Sequence, residues 1–366
     1  MKTQNAILLW LKSHTTPFLL SIPLLLLAVL VQAFGGTLLI RIVTVLFINL
    51  VMVLGLQVFM GNSGILNFAH IGFMGIGAYT SVLFSMTPQA KAATLPDLYP
   101  FLRPIHLPFL PSLLIGALAA ALVAALVGYA LMRLSDAAAV ITLFALLVII
   151  HTILVHWSIV TNGPRTLFGV DNYTTLGISA FFGILIIFIA YLFKETPVGL
   201  KLRASRDDRY AAASIGINVV QVRWAGFVLS AFLAGFGGGL WAHFITSFSP
   251  YAFYLTETFS ILSMLVIGGT GSVSGAVVGT VVVTFLREAL RAIENSANIA
   301  GLFQNNLVGF TEVFLSILLI LILIYRPSGI LGSREIRLTS EDLRSVTASS
   351  QTDRPVPSST KEGKHV

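Results

Sequence analysis

The stretch GNSGILNFAHIGFMGIGAY, residues 61 to 79, sets Asn62, Ser63, Asn67 and His70 inside an otherwise apolar run. If this run lies at membrane depth, its polar groups must face protein or a water-filled path, because lipid offers no hydrogen bonds. Two readings follow. Either these side chains line a route for a polar solute, or Asn67 and His70 tie neighbouring helices together. Gly72, Gly75, Gly77 and Ala78 in the same stretch would let another helix approach closely. His151 and His156 read more simply as packing histidines.

A second stretch, IGGTGSVSGAVVG at residues 267 to 279, superficially resembles a dinucleotide-binding loop. No predicted strand precedes it, and its G-x-G-x-x-x-G spacing fails the fingerprint. Its physical reading is an unwound membrane segment at Gly268, Gly269, Thr270 and Gly271, whose free amides, opening a helix, would attract a carboxylate. Tight helix packing through small residues is the alternative.

The third stretch runs from Glu195 to Trp224 and is the longest charged interval between apolar segments. It combines Lys201, Arg203, Arg206, Asp207, Asp208 and Arg209 with the small residues Ala211, Ala212, Ala213 and Gly216. A short helix with charges on one face and small residues on another can dock into a groove on a soluble partner. An ordinary basic loop that only sets membrane orientation has the same composition.

Other chemistry is poorly supported. No G-x-x-x-x-G-K-[ST] loop occurs, so ATP hydrolysis is not expected of this chain, and no cofactor is expected to bind it. With no cysteine, thiolate metal sites and cysteine nucleophiles are excluded. No zinc motif, Ser/His/Asp set or pair of buried carboxylates stands out, so neither a metal site nor a catalytic residue is expected.

The elements that must position these groups are helices in lipid. Of 366 residues, 56% are hydrophobic and only 10% charged, and mean hydropathy is +0.90. A span needs about 20 apolar residues at 1.5 Å rise to cross the hydrocarbon. Such runs lie at 17 to 34, 38 to 60, 64 to 86, 110 to 132, 137 to 157, 176 to 193, 224 to 245 and 308 to 325. The glycine-broken region 258 to 286 reads as a re-entrant pair of short helices. The fold class is therefore all-α and polytopic, with about eight full transmembrane helices plus that pair. The first run is read as a retained helix and not a signal peptide.

The net charge of +7 does not indicate nucleic acid, because the basic residues sit between apolar spans. Placing both termini and the 194 to 223 loop in the cytoplasm puts most Lys and Arg inside. Residues 1 to 16 then form a short cytoplasmic N-terminus and 17 to 332 the membrane domain. Residues 333 to 366, rich in Ser, Thr and charge, form a disordered cytoplasmic tail. The interval 87 to 109, with Pro88, Pro96, Pro100, Pro104 and Pro108, reads as an irregular outer segment. Glu257 reads as a solvated outer charge.

Five segments carry a family resemblance: GNSGILNFAHIGFMGIGAY, VGLKLRASRDDRYAAASIGINV, FVLSAFLAGFGGGLWAH, VIGGTGSVSGAVVG and YRPSGILG. In this order, between residues 38 and 332, they resemble the LivM-type membrane permeases of branched-chain amino-acid ATP-binding cassette (ABC) transporters. The resemblance implies an ABC importer permease fold and alternating access for amino acids in the cell inner membrane. It also implies a second, LivH-type permease, two cytoplasmic ATP-binding subunits that use the ATP, and an extracytoplasmic solute-binding protein. The 199 to 222 loop then looks like the coupling helix, with Asp207, Asp208, Ala211, Ala212 and Gly216 matching the pattern. The chain departs from it at Arg209, where many relatives are acidic, and at Thr161-Asn162-Gly163, where Thr-Gly-Gly is common. A permease of the same family for urea or short amides fits the same residues. An ion-coupled secondary transporter would want acidic groups deep in the membrane, whereas Glu257 and Glu312 fall near span ends.

Overall fold

A computed structural model describes residues 15–299, 309–326, 328–332 and 334–336. Of the cytoplasmic N-terminus expected at 1 to 16, residues 1 to 14 lie outside the described residues and Thr15 and Thr16 already belong to the first helix; most of the tail expected at 333 to 366 also lies outside.

The chain forms a helical bundle. Helix α1 (Thr15–Phe34) turns through Gly35-Gly36 into α2 (Thr37–Leu56), which continues as a π-helical turn, Gln57–Gly61. After a non-helical stretch come α3 (His70–Ser85), α4 (Pro88–Thr94), α5 (Phe109–Leu131), α6 (Asp136–His156) and the single turn α7 (Ser158–Thr161). Then follow α8 (Leu176–Glu195), α9 (Pro197–Asp207), α10 (Arg209–Ser214) and α11 (Val219–Ile245). A 3-10 turn, Pro250–Phe253, leads to α12 (Leu255–Gly268), α13 (Val273–Ile299) and α14 (Phe310–Tyr325). Among the described residues, seven helices are long and apolar enough to cross a membrane, which makes this a multi-pass membrane protein.

Helix α5 shows how the sequence sorts its faces. Leu114, Leu118, Leu122 and Leu126 recur every four residues and are 48 to 73% exposed, whereas Gly116, Ala117, Ala120 and Ala124 are buried. The bulky residues thus face lipid, and the small ones let backbones approach, as expected where lipid is as apolar as leucine. The central contact of α3, α5 and α11 is built this way. A Cβ added at Gly77 of α3 would lie 2.1 Å from the Gly235 carbonyl oxygen of α11.

Three expectations need correction. The run at 64 to 86 is not one helix: residues 64 to 69 are non-helical and α3 begins only at His70. Gly64, at φ +75°, takes the left-handed conformation that ends the α2 extension. The region 258 to 286 is not a pair of short helices, since α13 is 27 residues long and Val273–Glu294 is long enough to cross. Finally, the 308 to 325 run is described as the 16-residue helix α14.

The ends of the bundle can be assigned by contact. Lys194, at the end of α8, donates to the Gly271 carbonyl in the α12–α13 turn (3.0 Å). Arg206 of α9 donates to the Gly61 carbonyl after α2 (2.7 Å). Ile330 and Leu331, beyond α14, donate their amides to Ile267 and Gly268. Helix α1 starts at this end too, with Phe18 packed on Phe188 of α8 at 5.1 Å. Both ends of the described chain therefore share one face of the bundle with α9 and α10. At the opposite face Thr94 donates to Phe168, and Leu167 pairs with Phe248 in a lone antiparallel bridge.

Candidate translocation site

Helix α2 is the axis of the polar groups. It is buried without interruption from Leu46 to Gly61, yet it carries Asn49, Gln57 and Asn62. At its inner end, the one bearing α9 and α10, the π turn and the unwound residues 64 to 69 make a discontinuous helix. Such irregular backbone at membrane depth is tolerated only inside protein or along a cavity, and π turns often mark functional positions.

Here Asn62, Ser63, Asn67 and His70 are all at most 2% exposed. The Asn62 Nδ2 donates to the Val58 carbonyl (3.0 Å), and Ser63 Oγ accepts from the Ile65 amide (3.2 Å). Neither amide atom of Asn67, nor of Gln57, nor the Asn62 oxygen has a protein partner. These three amides keep bonding capacity for water or solute. His70 is different. Its Nε2 faces the Met52 carbonyl (2.9 Å) and so must donate, which leaves Nδ1 to accept from the Ser230 hydroxyl (3.2 Å). Both nitrogens are used, and His70 ties α3 to α2 and α11.

The glycine turn holds another correction. The amides at the start of α13 are occupied by this chain's own Glu335: Val273 and Ser274 donate their N–H groups at 2.9 and 3.0 Å. The Ser274 hydroxyl donates at 2.7 Å, and Lys194 Nζ lies 2.5 Å from Oε1. Gly268, Gly269, Thr270 and Gly271 therefore form an anchored turn. Gly269 adopts φ +123°, and Gly268 packs directly on the backbone of Gly275 and Gly279. Burial opposes ionisation of Glu335, but Lys194 and the Ser274 hydroxyl and amide outweigh it and hold the carboxyl below the usual range. The ordered chain thus extends into the tail expected to be disordered.

The coupling residues reach the same place. Instead of one helix over 199 to 222, two short helices meet at Asp208, whose carboxylate caps α10 by accepting from Tyr210 and Ala211 (2.8 and 3.0 Å). Arg203 donates to the Lys194 carbonyl, and Arg209 to the Leu134 carbonyl in the α5–α6 turn. Arg206 lies against Gly64 while bonding Gly61, so it touches the helix break itself. Asp207 is exposed, Ala212 buried and Ala211 exposed. Gly216, at φ +86°, turns the chain into α11. Tyr210 and Ile215 are 84% and 77% exposed, an apolar pair at the end of the bundle.

Toward the other face, α2, α11, α12 and α13 enclose a cavity of about 510 Å³, a size suited to a small solute. Arg41, Asn49, Glu257, Arg287, Glu288 and Arg291 line it. Glu257 is half-buried in this cavity and is not the solvated outer charge expected of it. Arg287 donates to the Ser260 hydroxyl (2.9 Å), and Arg41 lies 6.0 Å from the Phe244 ring centre. Apart from Glu257, the sequence reading missed these residues. The signal was present: Thr284, Arg287, Glu288 and Arg291 follow i, i+3, i+4, i+7 spacing on one face of α13.

A bundle with a discontinuous buried helix, unpaired amides beside it and a charged cavity that opens toward one face has the architecture of a membrane transport protein. Residues 38–324 match the family model described as branched-chain amino acid transport system / permease component. The chain belongs to this permease family. It is 27% identical to LivM, the high-affinity branched-chain amino acid transport system permease protein of Escherichia coli K12, over 79% of this chain and 69% of that protein. It is 28% identical to the nucleoside ABC transporter permease protein NupC of Lactococcus lactis, over 58% of this chain and 69% of that one. To LivH of E. coli K12 it is 31% identical, over 42% of this chain and 44% of that protein. No solved structure matches it.

Proposed function

We propose that this chain is the permease subunit of an ATP-driven importer that carries amino acids across the inner membrane by alternating access. The observation that carries the reading is the contact of Arg206 with Gly61 and Gly64, which joins the exposed α9–α10 loop to the break in the buried helix. A partner that moves this loop as a rigid body moves the break with it. Tyr210 and Ile215 offer that partner an apolar foothold ringed by charge.

The partners are two ATP-binding subunits on the α9–α10 face, a second LivH-type permease and an extracytoplasmic solute-binding protein. ATP is used in the partners. The α9–α10 face is cytoplasmic, and both ends of the described chain lie on it. Within the break, Gln57, Asn62 and Asn67 are the groups proposed to meet the passing solute. The amino-acid reading draws support from similarity to LivM over most of the chain. Similarity to NupC, a nucleoside ABC transporter permease, makes nucleosides the contrast to test.

The test is uptake by proteoliposomes containing the chain and its partners. Wild type is expected to accumulate labelled leucine or glutamate only when ATP is supplied to the ATPase side. Tyr210→Asp combined with Ile215→Asp is expected to abolish uptake and release the ATPases on purification, while the chain still inserts. Accumulation without ATP, or full uptake by the double variant, would sink the reading.

A further inference from the structure

We propose that the charged cavity between α2, α11, α12 and α13 is a solute site for α-amino acids. Arg41 and Arg291 receive the carboxylate and Glu257 and Glu288 the ammonium group. The inference rests on the amino-acid transport reading and names the site it requires.

Depth comes first. Asn49 lies 12 residues into α2 and Thr284 lies 11 residues into α13 from the opposite face, about 17 to 18 Å along each helix at 1.5 Å rise. Both line the cavity, so its floor reaches the middle of a bilayer about 30 Å thick. The ionised groups sit nearer the outer mouth, Arg41 four residues into α2 and Glu257 two residues into α12, above the neutral Asn49 and Thr284.

Charge comes second. Three guanidiniums oppose two carboxylates, leaving the cavity one positive charge in excess. Arg287 is engaged by Ser260, whereas Arg41 and Arg291 present exposed side chains to the cavity. A cationic solute meets net repulsion there. A neutral one such as urea can hydrogen-bond to groups of both signs but forms an ion pair with neither. An α-amino acid carries a carboxylate for the arginines and an ammonium for the glutamates, and planar guanidinium suits carboxylate in particular. Trp241 and Phe244 supply an apolar wall for the side chain.

The experiment uses the full chain in lipid nanodiscs, with equilibrium binding of labelled leucine, glutamate, lysine, urea and uridine. Leucine and glutamate are expected to bind at least about tenfold more tightly than lysine, urea or uridine. R41Q/R291Q is expected to lose at least about tenfold in affinity for both, and R41K/R291K to lose less, since it keeps the charge but not the planar fork. E257Q/E288Q is expected to weaken leucine but not its amine-free analogue 4-methylpentanoate. Wild-type binding by R41Q/R291Q in a monodisperse preparation would overturn the site, as would tightest binding of uridine or urea. ATP-driven uptake is measured in parallel. If R41Q/R291Q still transports amino acids like wild type, the site is wrong and the function stands. If wild type transports none, the function itself falls.

Discussion

Glu335 carries a carboxylate into a place where a charge is expensive, and it is tolerated because three donors and one ammonium converge on it. Lys194 and Glu335 are each 4% exposed at the side chain. Removing one partner of a buried pair leaves the other charge uncompensated, at a cost of about 3–5 kcal/mol. Lys194→Met is therefore expected to lower the thermal midpoint in detergent more than the double change Lys194→Met with Glu335→Leu. The same pair predicts a pH dependence. Because the folded carboxyl is held below its ordinary value, its stabilisation is complete above the unfolded glutamate pKa of about 4.3 and is lost as pH falls through the depressed folded value. Melting scans from neutral to acid pH should show wild type losing stability in that window. Glu335→Gln should lack this component, and parallel curves for the two proteins would contradict it.

Helices set the next scale. Contact between α3 and α11 depends on glycine at Gly77 and Gly235, whose backbones touch. Overpacking a tight core costs about 1–3 kcal/mol when neighbours can shift, and here the nearest atoms are backbone. Gly77→Leu is expected to reduce the folded yield in membranes sharply. Gly36→Ala, where an added Cβ meets nothing within 4 Å, should leave it unchanged. Fluorescence-detected size exclusion of both variants checks this, and equal monodisperse peaks would show that the α3–α11 contact is looser than described. The break between α2 and α3 follows a different logic. His70 fixes the start of α3 from the Met52 and Ser230 side, while the stretch before it is free of helical pairing. The helix is thus rigid where histidine pins it and irregular where Arg206 reaches it.

At the scale of the molecule, contacts group the α9–α10 loop, the α12–α13 turn and both ends of the described chain on one face. That arrangement predicts sidedness. The sequence has no cysteine, so single cysteines can be introduced without background. Ser214→Cys in α10 should react with a membrane-impermeant maleimide only after the cytoplasmic side is opened. Asp171→Cys, in the opposite loop, should react from outside in intact cells. The reverse pattern would invert the proposed orientation.

Much was legible in the residues alone. Six of the apolar runs became helices long enough to cross, because twenty apolar residues have few alternatives in lipid. The family segments lie in order along residues 38 to 332, and Asp208 sits at a helix cap as its residue type favours. Other features depended on distant partners. A carboxylate site at the α13 amides was anticipated, but only folding could fill it with Glu335, some sixty positions away in the chain. Likewise the spacing of Arg287, Glu288 and Arg291 puts them on one helical face, but only folding brings Arg41 and Glu257 to the same cavity. Side-chain type and spacing determined which segments enter lipid. Which polar groups meet there, and which remain available to a solute, was decided by tertiary packing, since hydrogen bonds and ion pairs act across a few ångströms of space regardless of separation along the chain.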